Sequence, residues 1–406
     1  AARRGAADLP RVGAELAIDP ELSAWLKLAR LPGLTPETTD DLVRLFGGAA
    51  RVVDPAAGRP AEAAGCAELL AALRSPAHDA EVRRELDLAA RTGWRHLHRG
   101  GAGYPEPLED LGAPPRVLAV RGDVSVLGRP AAAIVGSRRA SDYGRRMAQE
   151  LAAGLARVGV VVVSGLARGV DGAAHAAALE AGGTTVAVMG TGFDRVYPRE
   201  HGPLAERIVA GGALVTEFGP GVPPAPENFP RRNRIIAALA DVVIVVEAAL
   251  RSGALITARL ALDLGREVLA VPGRVGDPLA AGALSLLRDG APPALGALDA
   301  LLALSPRRFP ELAAAAAAAL RGEEAAALAA ERPGPSPAAE LGAEAEAVFG
   351  ALPRDEDRQV DELAAAANLP LDAVLAALFA LQLAGLAEAL PGARFRRTVR
   401  PGGGRV

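Results

Sequence analysis

Of the 45 basic residues in this 406-residue chain only Lys27 is a lysine, and the rest are arginines. Phosphate loops of the G-x-x-x-x-G-K-[ST] type and Schiff-base chemistry both need a lysine in a defined setting. Lys27 sits in a Leu/Ala-rich helical stretch, which excludes both classes. Cysteine is also down to one residue, Cys66, so no intrachain disulfide and no Cys-rich zinc site can form, as suits a reducing cytoplasm. Long apolar runs are missing, because Val160 to Val163 and Val242 to Val246 stop at Ser164 and Glu247. The stretch after Arg3 and Arg4 lacks the apolar core of a signal peptide. A cytoplasmic protein without a membrane segment is therefore expected. Excess charge is missing as well: 45 basic against 48 acidic residues leave −3, so any nucleic-acid contact must be local. Aromatics make up only 3% of the chain, which leaves alanine, leucine and valine to build the core and makes each ring informative.

The length fits one full-sized α/β core with smaller modules at its ends. Residues 1–20 read as a disordered N-terminus and 21–90 as a small domain of helical hairpins, with Leu22, Trp25, Leu26, Leu28 and Leu31 as one apolar set. Over 91–298, after a lead-in segment, short β-branched runs alternate with amphipathic stretches. Strands are predicted at 131–135, 160–163, 185–188, 213–216, 242–246 and 267–271, each followed by a helix except the last. That alternation predicts a parallel, doubly wound sheet, which binds ligands beyond the carboxyl ends of its strands. Residues 299–340 read as an Ala/Pro-rich linker, 341–399 follow the element order of a winged helix, and 400–406 are a tail.

The strand ends carry the chemistry. The first runs into Gly136-Ser137-Arg138-Arg139-Ala140-Ser141. A glycine, a hydroxyl, a guanidinium and a helix N-terminus together suit a phosphate, the alternative being a tight turn with solvated arginines. Ser164-Gly165-Leu166-Ala167-Arg168-Gly169-Val170-Asp171 builds a second anion site of the same kind. Asp171 is expected as the N-cap of the next helix, and His175 as a hydrogen-bonded structural histidine with no metal partner in reach. Gly190-Thr191-Gly192 starts like a dinucleotide fingerprint, but the third glycine position is Arg195, so no redox cofactor is expected. Asn228-Phe229-Pro230-Arg231-Arg232-Asn233-Arg234 sets three arginines and two amides beside a ring at a helix start. Cations there oppose the helix dipole, which favours an anionic partner over a solvated helix start. Single-stranded nucleic acid is held by this mixture, with guanidiniums on successive phosphates and a ring under a base.

At these residues the chain resembles the DNA-processing protein A family, DprA or Smf. The likeness lies in Gly136-Ser137-Arg138, Ser164 to His175, Gly190-Thr191-Gly192 with Tyr197-Pro198, and Phe229-Pro230 with Arg232-Asn233-Arg234-Ile235-Ile236. It continues in Ser252-Gly253 with Thr257-Ala258 and in Val271-Pro272-Gly273. The resemblance implies a Rossmann-like core with a helical and a winged-helix flank, acting as a homodimer without known catalysis or cofactor. Its implied work is to bind incoming single-stranded DNA in natural transformation, protect it and load the RecA recombinase. It also implies a phosphate pocket of Ser137, Arg138, Ser164, Gly165, Arg168, Gly169, Arg232, Asn233 and Arg234. The loop reading adds Gly136, Gly190, Thr191 and Gly192, with Phe229 as the stacking platform. Two departures stand out. Leu279 to Leu284, Ala280 included, is apolar where the family carries polar residues, so no contact is assigned there, and His201 stands where the family often has asparagine.

Two other readings remain open at this point. One is a nucleotide-binding hydrolase with Glu247 as acid or nucleophile, against which the chain lacks a Pro-Gly-Gly-x-Gly-Thr loop. The other is a nucleotide-sensing scaffold. In the tail domain, the third helix, Leu371 to Leu383, has no arginine. Any DNA contact there falls to Arg394, Arg396, Arg397 and Arg400, and a protein-interaction or weak backbone-binding role is expected.

Overall fold

A computed structural model of the chain describes residues 19–58, 60–304, 309–312, 314, 338, 341–353, 357–390 and 392–398. The expected N-terminal segment (apart from 19 and 20), most of the linker and the tail lie outside these residues. Two compact units divide the chain, Ala1–Leu320 and Arg321–Val406.

The first unit opens with helices α1 (Pro20–Arg30), α2 (Pro36–Phe46), α3 (Ala49–Val53), α4 (Ala67–Leu73) and α5 (Pro76–Thr92). Thr35 and Ser75 cap α2 and α5 by accepting the amides of Thr38 and His78, and each helix has proline in its first turn. Trp25, Leu26, Leu28, Leu42, Phe46 and Leu73 close a core of their own.

An eight-stranded sheet follows: β1 (Arg95–His98), β2 (Val117–Gly122), β3 (Ala131–Val135), β4 (Val161–Ser164), β5 (Thr185–Val188), β6 (Gly212–Thr216), β7 (Val242–Val245) and β8 (Glu267–Ala270). The spatial order is β1-β2-β6-β5-β4-β3-β7-β8, with β3 to β8 parallel and β1 and β2 antiparallel at one edge. The six predicted strands are present. The two edge strands were read as lead-in, because β1, Arg-His-Leu-His, has no β-branched residue to mark it.

Alternation along the strands assigns each side chain to a face. Ala133, Val163, Val243 and Val245 pack under helices α9 (Asn228–Leu239) and α10 (Gly253–Asp263). Ala132, Ile134, Val162, Val242 and Ile244 pack under α6 (Asp142–Arg157) and α7 (Val170–Glu180). Helices α8 (Gly202–Gly211), α11 (Ala281–Arg288) and α12 (Ala297–Ala303) also belong to this unit. The expected linker start at 299 is corrected by α12, whose Ala300 is buried in the core together with Leu304. Chain order reverses between β3 and β7, so the loops after these two strands face one crevice.

The second unit comprises α13 (Ala343–Ala351), β9 (Arg358–Gln359), α14 (Val360–Ala367), α15 (Leu371–Leu383), β10 (Ala387–Leu390) and β11 (Arg394–Arg397), a winged helix with sheet order β10-β11-β9. Among the described residues no single helix is long and apolar enough to cross a membrane.

A buried charge cluster ties α1 and α5 to the sheet edge. Arg30 donates from Nε and Nη2 to the two oxygens of Glu85, 2.8 Å each, and His96 Nε2 lies 3.0 Å from Glu85 Oε1. Burial alone would raise the Glu85 carboxyl, but the bonds from Arg30 and His96 outweigh it and hold the group at about 2. Its folded value lies below the unfolded one, so its contribution is complete above pH 4.5 and disappears as the pH falls towards 2. Glu85→Ala takes the carboxylate from the partly buried Arg30 guanidinium and the His96 ring and is expected to cost about 3 kcal/mol in urea unfolding at pH 7. A variant as stable as the parent would contradict the role given to this pair.

Candidate nucleic-acid interface

The crevice at the strand ends holds a cavity of about 640 Å³, lined by Gly136, Ser137, Arg138 and Arg139 from the β3 loop. Phe229, Pro230, Arg232 and Asn233 of α9 and Ser252, Gly253 and Thr257 from the β7 side also line it, as does Leu279, in the apolar stretch where no contact was expected. The Arg138 guanidinium lies 4.6 Å from the centre of the Phe229 ring, and Tyr197 tilts against the same ring at 6.0 Å. A smaller space of about 110 Å³ shares Arg138, Tyr197 and Phe229 and is bounded by Gly165, Arg168, Gly190 and Thr191. A larger cavity, about 750 Å³, lies around Asp241 and Glu267 at the opposite ends of the strands, away from these loops.

The two expected anion sites are filled by the protein itself. At α6, Ser141 caps the helix by accepting the Gly144 amide, and Glu247 accepts from both the amide and the hydroxyl of Ser141. A carboxylate therefore occupies the place a phosphate would take at that helix start. With both oxygens so engaged, Glu247 is a capping group. At the second loop, Asp171 is not the N-cap: Gly169 holds that position, and Asp171 lies in the first turn. Its carboxylate reaches back to accept the amides of Gly165 at 3.0 Å and Ala167 at 3.4 Å, and burial pushes it up.

Local packing explains the glycines here. At Gly169 φ is +74°, and an added Cβ would stand 2.2 Å from the Ser137 carbonyl oxygen, so the two loops touch backbone to backbone. At Gly165 a Cβ would meet the Arg232 guanidinium at 2.3 Å. Leu166, between them, has φ +57° although it is bulky and buried. Two histidines hold it there. Its amide donates to His175 Nε2 at 3.3 Å, and its carbonyl faces His201 Nδ1 at 2.9 Å. His175 Nδ1 then bonds Thr185 Oγ1 at 2.7 Å, confirming the expected structural role.

The arginines of α9 do not line up on successive phosphates, because neighbours on a helix are rotated by 100°. Arg232 points inward and is buried, donating to the carbonyls of Gly165 and Val188 and to Asn233 Oδ1, while its guanidinium still lines the cavity. Burial lowers its value to about 10, opposed by Asp171 and assisted by Arg138. Arg234 turns away and pairs with Glu217 and the Ala113 carbonyl, so it is not at the cavity. Arg231 lies over Phe218. Asn233 donates to the Gly253 carbonyl at 3.2 Å.

The other candidates divide in the same way. Ser137 and Arg138 face the cavity, whereas Ser164 is buried and donates to the Ile134 carbonyl. Arg168 is exposed and paired with Glu200. Gly190 and Thr191 bound the smaller space, and the Gly192 amide is bonded to the Val222 carbonyl. Tyr197, Arg139, Ser252, Gly253 and Thr257 line the site without having been assigned to it. The loop after β7 could have been found, since it lies across the switch point from the first loop.

Residues 95–305 match the model of the DNA recombination-mediator protein A family, and 332–393 that of the DprA winged helix domain. A DprA-named protein of Mycobacterium tuberculosis is 38% identical over 410 residues, 96% of this chain and 97% of that one. The chain belongs to the DprA family. Protein Smf of Escherichia coli is 49% identical over 189 residues, 46% of this chain and 50% of its own. The X-ray structure of DprA from Streptococcus pneumoniae superposes with a TM-score of 0.58 at 32% identity, covering 71% of this chain and 99% of that one.

Burial lowers His175 to about 3, with His201 and Arg232 adding to the effect. The folded value lies below the ordinary 6.5, so this contribution is whole above pH 6.5 and is lost as the pH falls towards 3. Between pH 6.5 and 4.5, urea unfolding should show a slope of about 1.4 kcal/mol per pH unit from this group. That slope should disappear in His175→Gln. A slope unchanged in the variant would contradict the assignment.

Proposed function

We propose that this DprA-family chain binds single-stranded DNA at the strand-end cavity. In that reading it protects incoming strands in natural transformation and passes them to RecA, acting as a homodimer. The observation that carries the reading is the Phe229 ring at the cavity, with the Arg138 guanidinium resting on its face. A base that stacks on the ring displaces the guanidinium, which then turns to the neighbouring phosphate, so the two contacts form in one exchange. Ser137, Arg139 and Arg168 flank that path. Arg232 supports it from below by fixing the Gly165 and Val188 carbonyls. The reading includes no catalytic step, because Glu247, the acid a hydrolase would use here, is engaged by Ser141. Incubation with AMP should release no adenine.

Fluorescence anisotropy with labelled oligo(dT) tests the proposal. Three exposed cations, Arg138, Arg139 and Arg168, predict a log-log salt slope of about −2, shallower than four phosphate contacts would give. Phe229→Ala should weaken binding by about 1–3 kcal/mol, and Arg138→Ala by a similar amount with a smaller slope. Duplex of the same length should bind more weakly. Equal affinity for duplex, or no loss in either variant, contradicts the proposal.

A further inference from the structure

Helix α15 of the winged-helix unit buries Val374, Ala377, Leu378 and Leu381. It leaves Leu371, Leu375, Phe379 and Leu383 exposed by 46, 48, 63 and 75%. A spacing of four sets these side chains in one oblique ridge. Beside it run Asp372, Ala376 and Ala380, whose short side chains form a groove. We propose that ridge and groove form a self-association surface, covered by α15 of a second copy of this chain in an antiparallel crossing. This inference is independent of the single-strand reading of the core.

A two-fold contact requires a patch that is its own complement. An axis at Ala377 sets Leu371 against Leu383, Leu375 against Phe379, and Asp372 against Gln382. Apolar therefore meets apolar, and the single charge of the exposed face meets an amide instead of a like charge. Each ridge fills the partner's alanine groove, the geometry in which i±4 rows of two helices interdigitate. The four side chains expose ~500 Å² per copy, a large patch for a soluble surface. Two copies would cover about 1,000 Å², the size of a weak, reversible interface.

Other occupants fit less well. Duplex DNA calls for basic or amide groups on this helix, which has no arginine or lysine. The described wing arginines are engaged within the unit, Arg394 with Asp357, Arg396 with Glu388, and Arg397 with the Leu352 carbonyl. Arg400 lies outside the described residues. A lipid surface favours cations along the polar edge of the helix, and α15 supplies none.

The test uses the full chain with Cys66→Ser and Ala376→Cys, the new thiol lying beside the proposed axis. A short bis-maleimide should join two copies at micromolar protein. Phe379→Arg, which buries an unpaired charge at the centre, should cut the yield at least about ten-fold. Circular dichroism checks that the variant stays folded. Register is read by sedimentation equilibrium: Gln382→Arg, opposite Asp372, should tighten association about three-fold, and Gln382→Glu should weaken it by a similar factor. No cross-linked dimer, a yield untouched by Phe379→Arg, or binding to phosphatidylcholine vesicles in place of dimer formation overturns the proposal. Oligo(dT) affinity measured on the same variants keeps this outcome separate from the pocket, which has its own variants.

Discussion

The guanidinium of Arg232, buried beneath the strand ends, is the contact on which the arrangement of the crevice depends. It reaches from α9 to the carbonyls of Gly165 and Val188, where β4 and β5 give way to their loops. Such carbonyls have no partner in the ladder and would otherwise be buried without one. Asp171 holds the amides on the other side of the same loop. Between these two charged groups Leu166 keeps a left-handed conformation that its side chain disfavours, with His175 and His201 bonded to its amide and carbonyl. Position in this loop is thus fixed by buried polar groups, each satisfied by backbone, and the exposed residues are presented from a rigid base.

That economy of charge accounts for a near-neutral chain in a DNA-processing family. Both expected anion sites hold the protein's own carboxylates, Glu247 on Ser141 at the start of α6 and Asp171 on the loop amides of Gly165 and Ala167. Two of the three arginines on α9 serve the fold. The exposed cations that line the two adjoining spaces are Arg138, Arg139 and Arg168, around Phe229 and Tyr197. Under the proposed reading, rings supply contacts that a row of cations supplies elsewhere, and sequence tolerance follows because every base has a face to stack.

Much of this was legible beforehand. The parallel strands announce themselves through β-branched runs bounded by glycine and polar loops. The winged-helix order showed in the same way from helix periodicity and the Pro391-Gly392 turn. The edge strands β1 and β2 were not, since β1 has no β-branched residue and pairs only with β2, whose own place in the sheet rests on its pairing with β6. At the site, residue types were readable and directions were not. Arg232 and Arg234 look alike in sequence, yet helical rotation buries one and turns the other to Glu217. Asp171 was read as a cap for the helix that follows because a carboxylate at a helix start usually serves that helix, whereas here it serves the loop that precedes.

The central claim, that a base stacks on Phe229 at the strand-end cavity, is tested most directly by photocross-linking. Oligonucleotides carrying 5-iodouracil would be irradiated with the full chain and the adducts located by mass spectrometry. Adducts on Phe229 or Tyr197, competed by unlabelled single strand and far less by duplex, are the expected result. Adducts confined to the winged-helix unit, or spread over the surface without competition, would contradict it.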